Sequence, residues 1–261
     1  MATIAMLGNR KDVEIIACTV SAQVLARVVS EEVDSAVLPI ENSLHGSVAE
    51  HYDLLLELPV RIDGESLLRI RHNVIAMPGV RLDAVRKIMS HPVALSQCRR
   101  FLAAHPEFEV VPFYDTAGSV KRLMETGLRD VAGIAPGLAA EVYGAEVLVS
   151  GVEDHAENFT RFHLLRKEDA PVAKDVAGAD KMSLAFAIEH RPGTLVAALQ
   201  RLAEAGVNLT KIESRPVPGS PWEYVFYVDV RFDSTETAEA ALTALQEHCR
   251  MVKVLGRYRA A

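Results

Sequence analysis

Short apolar runs alternate with amphipathic stretches over roughly the first two thirds of the chain. The runs Val13–Ala17, Ala36–Ile40, Asn73–Met77, Glu109–Phe113, Val131–Ala135 and Arg161–Leu165 read as strands, being brief and mostly apolar. Between them, apolar residues recur three and four positions apart. Val48, Tyr52 and Leu55 mark a helix over Ser47–Leu58; Leu95, Cys98 and Leu102 mark one over Val93–Ala104; Val120, Leu123 and Met124 mark one over Ala117–Thr126. Near-continuous apolar strands separated by helices predict an α/β fold with mainly parallel sheets, buried on both faces, and ligands outside the strands' carboxyl ends.

The pattern lapses between Arg166 and Lys181, where charged and small residues predict a linker over 169–180. Beyond it the rhythm changes. A strand at Met182–Ile188, a helix at about Gly193–Ala205, strands at Val207–Ser214 and Trp222–Arg231, a helix at about Thr235–Cys249 and a strand at Met251–Leu255 give the order βαββαβ, which is ferredoxin-like. In the first of these strands Met182, Leu184, Phe186 and Ile188 are expected to face the helices, with Ser183, Ala185 and Ala187 facing away.

A length of 261 residues suits about two cores, and 49% hydrophobic with 24% charged residues is ordinary for a globular chain. The first apolar stretch, Thr3–Leu7, is too short for a signal peptide or membrane span and is followed by Arg10 and Lys11. Three scattered cysteines, Cys18, Cys98 and Cys249, fit neither a disulfide framework nor a zinc site, so a reducing cytoplasm is expected. The net charge of −7 lies in the residues up to 180, since residues 181–261 hold 10 Lys/Arg against 9 Asp/Glu. No basic stripe emerges for a nucleic acid, and an anionic small substrate stays open because a few placed cations and N–H groups decide that.

Four polar clusters stand where strands give way to helices: Pro39–Ser43 with Gly46 and Ser47, Ser90–Pro92 with Gln97, Asp115–Gly118, and Ala135–Gly137. Each can be a plain helix start, and each can offer free N–H groups to an anion. A fifth, Asn158–Phe162, brings a hydroxyl and a permanently charged guanidinium to a strand start. Glu41 reads as a cation partner in a site or as a strand-end carboxylate, and His91 as a site residue or a strand-end hydrogen-bonder. No HExxH, GxGxxG or P-loop spacing is present, so neither metal nor cofactor is expected.

In this order, Leu38-Pro39-Ile40-Glu41-Asn42-Ser43, Ser90-His91-Pro92, Asp115-Thr116-Ala117 and Thr160-Arg161-Phe162 resemble the motif series of prephenate dehydratases. Arg191-Pro192-Gly193-Thr194-Leu195 is similar to the family's G-A-L motif, and Glu213-Ser214-Arg215-Pro216 matches its E-S-R-P motif. The resemblance implies decarboxylating dehydration of prephenate to phenylpyruvate, in phenylalanine biosynthesis, without metal or organic cofactor. It implies a catalytic region, residues 1–168, of two lobes like a type II periplasmic binding protein: one of about 1–72 and 151–168, the other of about 73–150. It implies an ACT regulatory domain over 181–261. By resemblance Thr160 is the donor to the departing hydroxyl and Arg161 a partner for a substrate carboxylate. Asn42, Ser43, Gly46, Ser47, Ser90, His91, Gln97, Thr116, Ala117 and Phe162 are expected to bind substrate. Arg191, Pro192, Gly193, Thr194, Leu195, Glu213, Ser214, Arg215 and Pro216 are expected to bind the effector L-phenylalanine between paired ACT domains, in a homodimer or homotetramer.

Two features keep alternatives open. Asp115–Gly118 and Tyr52–Leu56 also resemble arogenate dehydratases, which run the same elimination on the amino-acid analogue. The family's opening turn, G-P-x-G-T-[FY]-S, is missing: Thr3–Gly8 passes through Asn9–Asp12 straight to Val13. A catalytically weakened or non-catalytic phenylalanine-binding homologue is therefore also expected as an alternative, with Asn9 or Arg10 as substitutes if activity is retained.

Overall fold

The computed structural model describes residues 2–7, 12–171, 178–217, 220 and 222–261. Asn9, Arg10 and half of the expected linker, residues 172–177, lie outside the described residues. The chain divides into two compact units, the smaller built from Arg69–Phe159 and the larger from Ala2–Leu68 with Thr160–Ala261. Among the described residues no helix is long and apolar enough to cross a membrane.

The larger unit starts with α1 (Ala2–Leu7) and α2 (Ser21–Val29), then β1 (Ala36–Asn42), β2 (Gly46–Ser47), α3 (Ala49–Glu57) and β3 (Val60–Arg69). The smaller unit follows with β4 (Asn73–Ala76), β5 (Lys87–Ser90), α4 (Pro92–Ser96), α5 (Arg99–Ala104), β6 (Glu109–Pro112), α6 (Thr116–Thr126), β7 (Val131–Ala135), α7 (Gly137–Tyr143) and β8 (Glu146–Ser150). β9 (Phe159–Lys167) returns the chain to the larger unit, which ends with β10 (Lys181–Ala187), α8 (Thr194–Glu204), β11 (Asn208–Pro216), β12 (Tyr224–Arg231), α9 (Thr235–His248) and β13 (Met251–Tyr258).

The smaller unit is a five-stranded sheet in the order β6-β5-β7-β4-β8, with apolar clusters around Val74, Ile88 and Ile134 and around Ile75, Val120 and Ala135. Every residue of β4 and β7 is buried, which is why these strands carry almost no polar side chains. β5 runs parallel to β6 and β7, but β4 is antiparallel to both its neighbours.

In the larger unit one sheet of eight strands runs β11-β12-β10-β13-β3-β9-β1-β2. The pairs β1–β2, β1–β9, β10–β12, β10–β13 and β11–β12 are antiparallel, and Gly256 of β13 meets Ile62 of β3 in parallel. The expectation of mainly parallel sheets is corrected accordingly. The C-terminal segment does form the βαββαβ order, its strands lying β11-β12-β10-β13.

Three local expectations change. Val13–Ala17 is not a strand: it pairs with nothing in either sheet, and Ile15 and Ile16 are exposed. The helix expected over Val93–Ala104 breaks at Gln97–Cys98, and the Asp154 carboxylate accepts the N–H groups of Arg99 and Arg100 to start a second helix. Ser96 therefore closes a helix rather than opening one, and Ser47 lies in β2, ahead of α3. Finally, Met182, Leu184 and Phe186 do pack under α8 and α9, but Ser183 and Ala185 on the opposite face are also buried. That second face is covered by Tyr52, Leu55 and Ile62 from the first part of the chain.

Candidate active site

β1 and β9 pair antiparallel, with Asn42 opposite Thr160 and Glu41 opposite Arg161. Alternation along a strand sends successive side chains to opposite faces, so these two pairs lie on different sides of the sheet. On one side Asn42 Oδ1 accepts the N–H groups of Leu44 and His45 at 3.0 and 3.1 Å, an Asx-type turn that fixes the amide. Its Nδ2 then points at Thr160 and donates to Oγ1 at 3.0 Å. Gly46, at φ +77° in open space, turns the chain back so that Ser47 pairs with Glu41. The half-buried Thr160 hydroxyl accepts from Asn42 and keeps its own proton for a further acceptor.

On the other side Arg161 is buried, at 7% exposure. Its Nε donates to Glu65 at 2.6 Å, Nη1 to Asp229 at 2.5 Å and Nη2 to the Tyr258 hydroxyl at 2.9 Å. Lys181 donates to both Glu65 oxygens at 3.0 Å, and Ser183 donates to Asp229. Two cations thus face two carboxylates out of water. Burial alone would raise the Asp229 carboxyl, but the Arg161 charge and the hydrogen bonds from Ser183 and Arg161 hold it below the usual carboxylate range. Burial and the Arg161 charge push His163 down to about 3, keeping it neutral, and neither of its ring nitrogens has a partner. Expected as a ligand for a substrate carboxylate, Arg161 is in this conformation committed to two protein carboxylates and anchors the strand that carries Thr160. Phe162, next along, pairs across to Pro39.

The hairpin from β1 to β2 is held on the same side. Lys211 Nζ donates to Glu41 Oε1 at 2.8 Å and to Ser47 Oγ at 2.9 Å, while Ser47 donates to Glu213 Oε2 at 2.7 Å. Arg215 forms two hydrogen bonds to Asp53 of α3. Glu41 is therefore a cation partner.

A separate cavity of about 390 Å³ opens at the loop before α8. Arg191–Leu195 line it together with Trp222, Tyr224 and Phe226. Gly193 sits at φ +86°, and the Thr194 hydroxyl lies 2.8 Å from the carbonyls of Glu189 and Arg191, tying the loop to the helix start. Glu213–Pro216 do not line this cavity; Glu213 and Arg215 are turned to Ser47 and Asp53 instead.

In the smaller unit, Ser90 is fully buried and donates to the Ile134 carbonyl. His91 caps α4, its Nδ1 accepting from the Val93 N–H at 3.2 Å. Gln97 is buried and lies 2.7 Å from His72 Nε2. Thr116 and Ala117 open α6, where Asp115 accepts the Gly118 N–H at 2.5 Å. These side chains mainly shape strand ends and helix starts.

A prephenate dehydratase family model matches residues 1–170, and an ACT domain model matches residues 183–247. The chain belongs to the prephenate dehydratase family. It is 40% identical over 237 residues to an arogenate dehydratase/prephenate dehydratase of Arabidopsis thaliana, covering 87% of this chain but 61% of that protein. The chain thus spans about three fifths of the length of that relative. Among solved structures, the prephenate dehydratase of Arthrobacter aurescens in complex with L-Phe matches with a TM-score of 0.87 at 33% identity, over 98% of this chain and 85% of that one. GqqA, described as a quorum-quenching acylase, matches with the same TM-score and identity over 100% of this chain and 92% of that one.

In this prephenate dehydratase family member, the motif residues of β1 and β9 fall on two sides of the sheet. Asn42 and Thr160 share one, and Glu41 and Arg161 the other. Sequence reasoning missed Glu65, Lys181, Asp229, Tyr258 and Lys211. Of these, Lys211 and Asp229 lay in the expected strands Val207–Ser214 and Trp222–Arg231 but were not singled out.

Proposed function

We propose that the protein converts prephenate to phenylpyruvate, carbon dioxide and water. The observation that carries this reading is the Asn42–Thr160 pair. Because the Thr160 hydroxyl accepts from the Asn42 amide, its own proton is left to be donated to the departing ring hydroxyl. Aromatisation drives the loss of the carboxylate, so the protein's task is to orient the ring and stabilise a poor leaving group. A threonine hydroxyl is too weak an acid to give up its proton outright. It acts by hydrogen bonding as negative charge grows on the leaving oxygen, which takes its proton from solvent.

Arogenate is a second substrate reading, favoured by the Arabidopsis relative's name, which carries both activities. The C-terminal ACT domain is proposed to sense L-phenylalanine at the Arg191–Leu195 cavity, in a homodimer or homotetramer. Support comes from the cavity itself and from the L-Phe held by the Arthrobacter relative.

The test is direct: the purified protein is given prephenate, and separately arogenate, with and without phenylalanine, while phenylpyruvate or phenylalanine formation is followed. Thr160→Ala should lower kcat by a factor on the order of 10²–10³, as loss of one transition-state donor does. Turnover of neither acid by the unmodified protein would overturn the reading.

A further inference from the structure

The hairpin that carries Asn42 is fastened from the ACT side by a single cation. Lys211 lies on β11, and its ammonium reaches both Glu41 and Ser47 on the two strands of the hairpin. Ser47 in turn donates a hydrogen bond to Glu213, so ammonium, hydroxyl and carboxylate form one directed chain of hydrogen bonds. The Lys211 side chain is 11% exposed, and its ammonium stands 5.6 Å from the centre of the Tyr52 ring. Without this cation, Glu41 would keep only the more distant Arg161 guanidinium at 3.9 Å, and nothing would tie Glu41 to the Ser47–Glu213 hydrogen bond. Asn42 directly follows Glu41, and the Asn42 amide sets the Thr160 hydroxyl.

We propose that Lys211 is a positioning residue for the reaction, acting through Glu41 and Ser47 to hold the β1–β2 hairpin in the register that aims Asn42 at Thr160. The proposal rests on the dehydratase reading for its kinetic consequence, and on the hydrogen-bond geometry alone for the hairpin.

The experiment uses the full chain with Lys211→Met, which keeps the apolar stem, Lys211→Arg, which keeps the charge, and Ser47→Ala, which cuts the hydrogen-bond chain from the other end. In Lys211→Met, amide hydrogen exchange across residues 41–48 should quicken by about tenfold, as expected for losing one charge-assisted anchor. Exchange in β10 and β12 should not change. Ser47→Ala should quicken the same amides, and Lys211→Arg should restore most of the protection. With prephenate, Lys211→Met should lower kcat about tenfold with a smaller change in KM, because the displaced group acts on the leaving hydroxyl. Unchanged exchange over 41–48 overturns the proposal, and so does quickened exchange with unchanged kcat. If the unmodified protein turns over neither prephenate nor arogenate, the dehydratase reading fails by itself, while the exchange comparison still decides whether Lys211 holds the hairpin. If Lys211→Met unfolds as a whole, quickened exchange confined to 41–48 in Ser47→Ala supports the clamp, and its absence overturns it.

Discussion

The two compact units bury polar groups in opposite ways. In the smaller unit the buried polar side chains are His72, Asn73, Ser90, Gln97, Ser119 and Asn158, all of them uncharged or able to be. In the larger unit they include Arg161 and Asp229, with the side chain of Glu65 at least as enclosed as theirs. The first arrangement adds modest stability with each hydrogen bond and tolerates losing one. The second rests on charge balance, because each ion out of water is costly unless its partner stays. The ionic set joins β9, which bears Thr160, to β3 and to three strands of the ACT sheet. A proposed sensor and a proposed catalytic strand therefore share one electrostatic unit.

The largest expected effect comes from unbalancing that unit. Asp229→Ala leaves Arg161 with one buried carboxylate shared with Lys181, and should cost about 3–5 kcal/mol in chemical denaturation, the usual penalty for removing one partner of a buried pair. Replacing Arg161 and Asp229 together by methionine should recover much of the loss. A cost under about 1 kcal/mol for the single variant would show that the ions are not balanced as described. Acid sharpens the same contrast. The depressed Asp229 carboxyl contributes stability above the ordinary carboxylate range, and this fades as pH falls through its lowered folded value. Neutral His163 adds to the trend: below its ordinary value of 6.5 the unfolded chain gains a proton that the folded one refuses until about 3. Melting between pH 7 and pH 4 should fall more steeply in the unmodified protein than in a His163→Phe variant.

How much of this was legible in the chain differs between the units. Strands β4 and β7 stood out as apolar runs because all their residues are buried, whereas β6 was legible from its valines although it is largely exposed. The βαββαβ order was legible from its change of period. β3 was not singled out, since Val-Arg-Ile-Asp-Gly-Glu-Ser-Leu-Leu-Arg has few apolar residues; the alternation of buried Val60 and Ile62 with Arg61 and Asp63 was the available signal. Val13–Ala17 misled in the other direction, apolar but without a strand to join. For the site, Asn42 and Thr160 were named from motifs, yet nothing in the spacing told which face each would take. Arg161 finds Glu65 96 residues away and Asp229 68 residues away, distances at which no local pattern survives. The E-S-R-P run was assigned to an effector from its motif alone, and within the chain Glu213 and Arg215 bond to Ser47 and Asp53.

A smaller effect is expected where the ACT sheet touches β3. A Cβ at Gly256 would lie 2.2 Å from the Ile62 carbonyl oxygen, and backbone cannot swing aside, so Gly256→Ala should cost about 1–3 kcal/mol as overpacking does. In the smaller unit Gly133 is also close-packed, but its first obstacle is the Ser119 hydroxyl at 2.7 Å, the end of a side chain that can turn. Gly133→Ala should cost less in the same denaturation assay. Equal costs would mean that the contact between Gly256 and Ile62 relaxes as readily as a side chain.

The smallest effect tests the neutral side of the comparison. Ser90 lies at the end of β5 and donates at 2.5 Å to the Ile134 carbonyl on the neighbouring β7, fully out of water. Removing the hydroxyl strands no charge and leaves a carbonyl that retains capacity for a ladder bond, so Ser90→Ala should cost about 1 kcal/mol, near the net worth of one buried hydrogen bond. The loss should be independent of pH between 4 and 7, because no titrating group is involved in the contact. Any strong acid dependence in Ser90→Ala would tie this strand end to ionisable groups and dissolve the distinction between a unit held by neutral hydrogen bonds and one held by balanced ions.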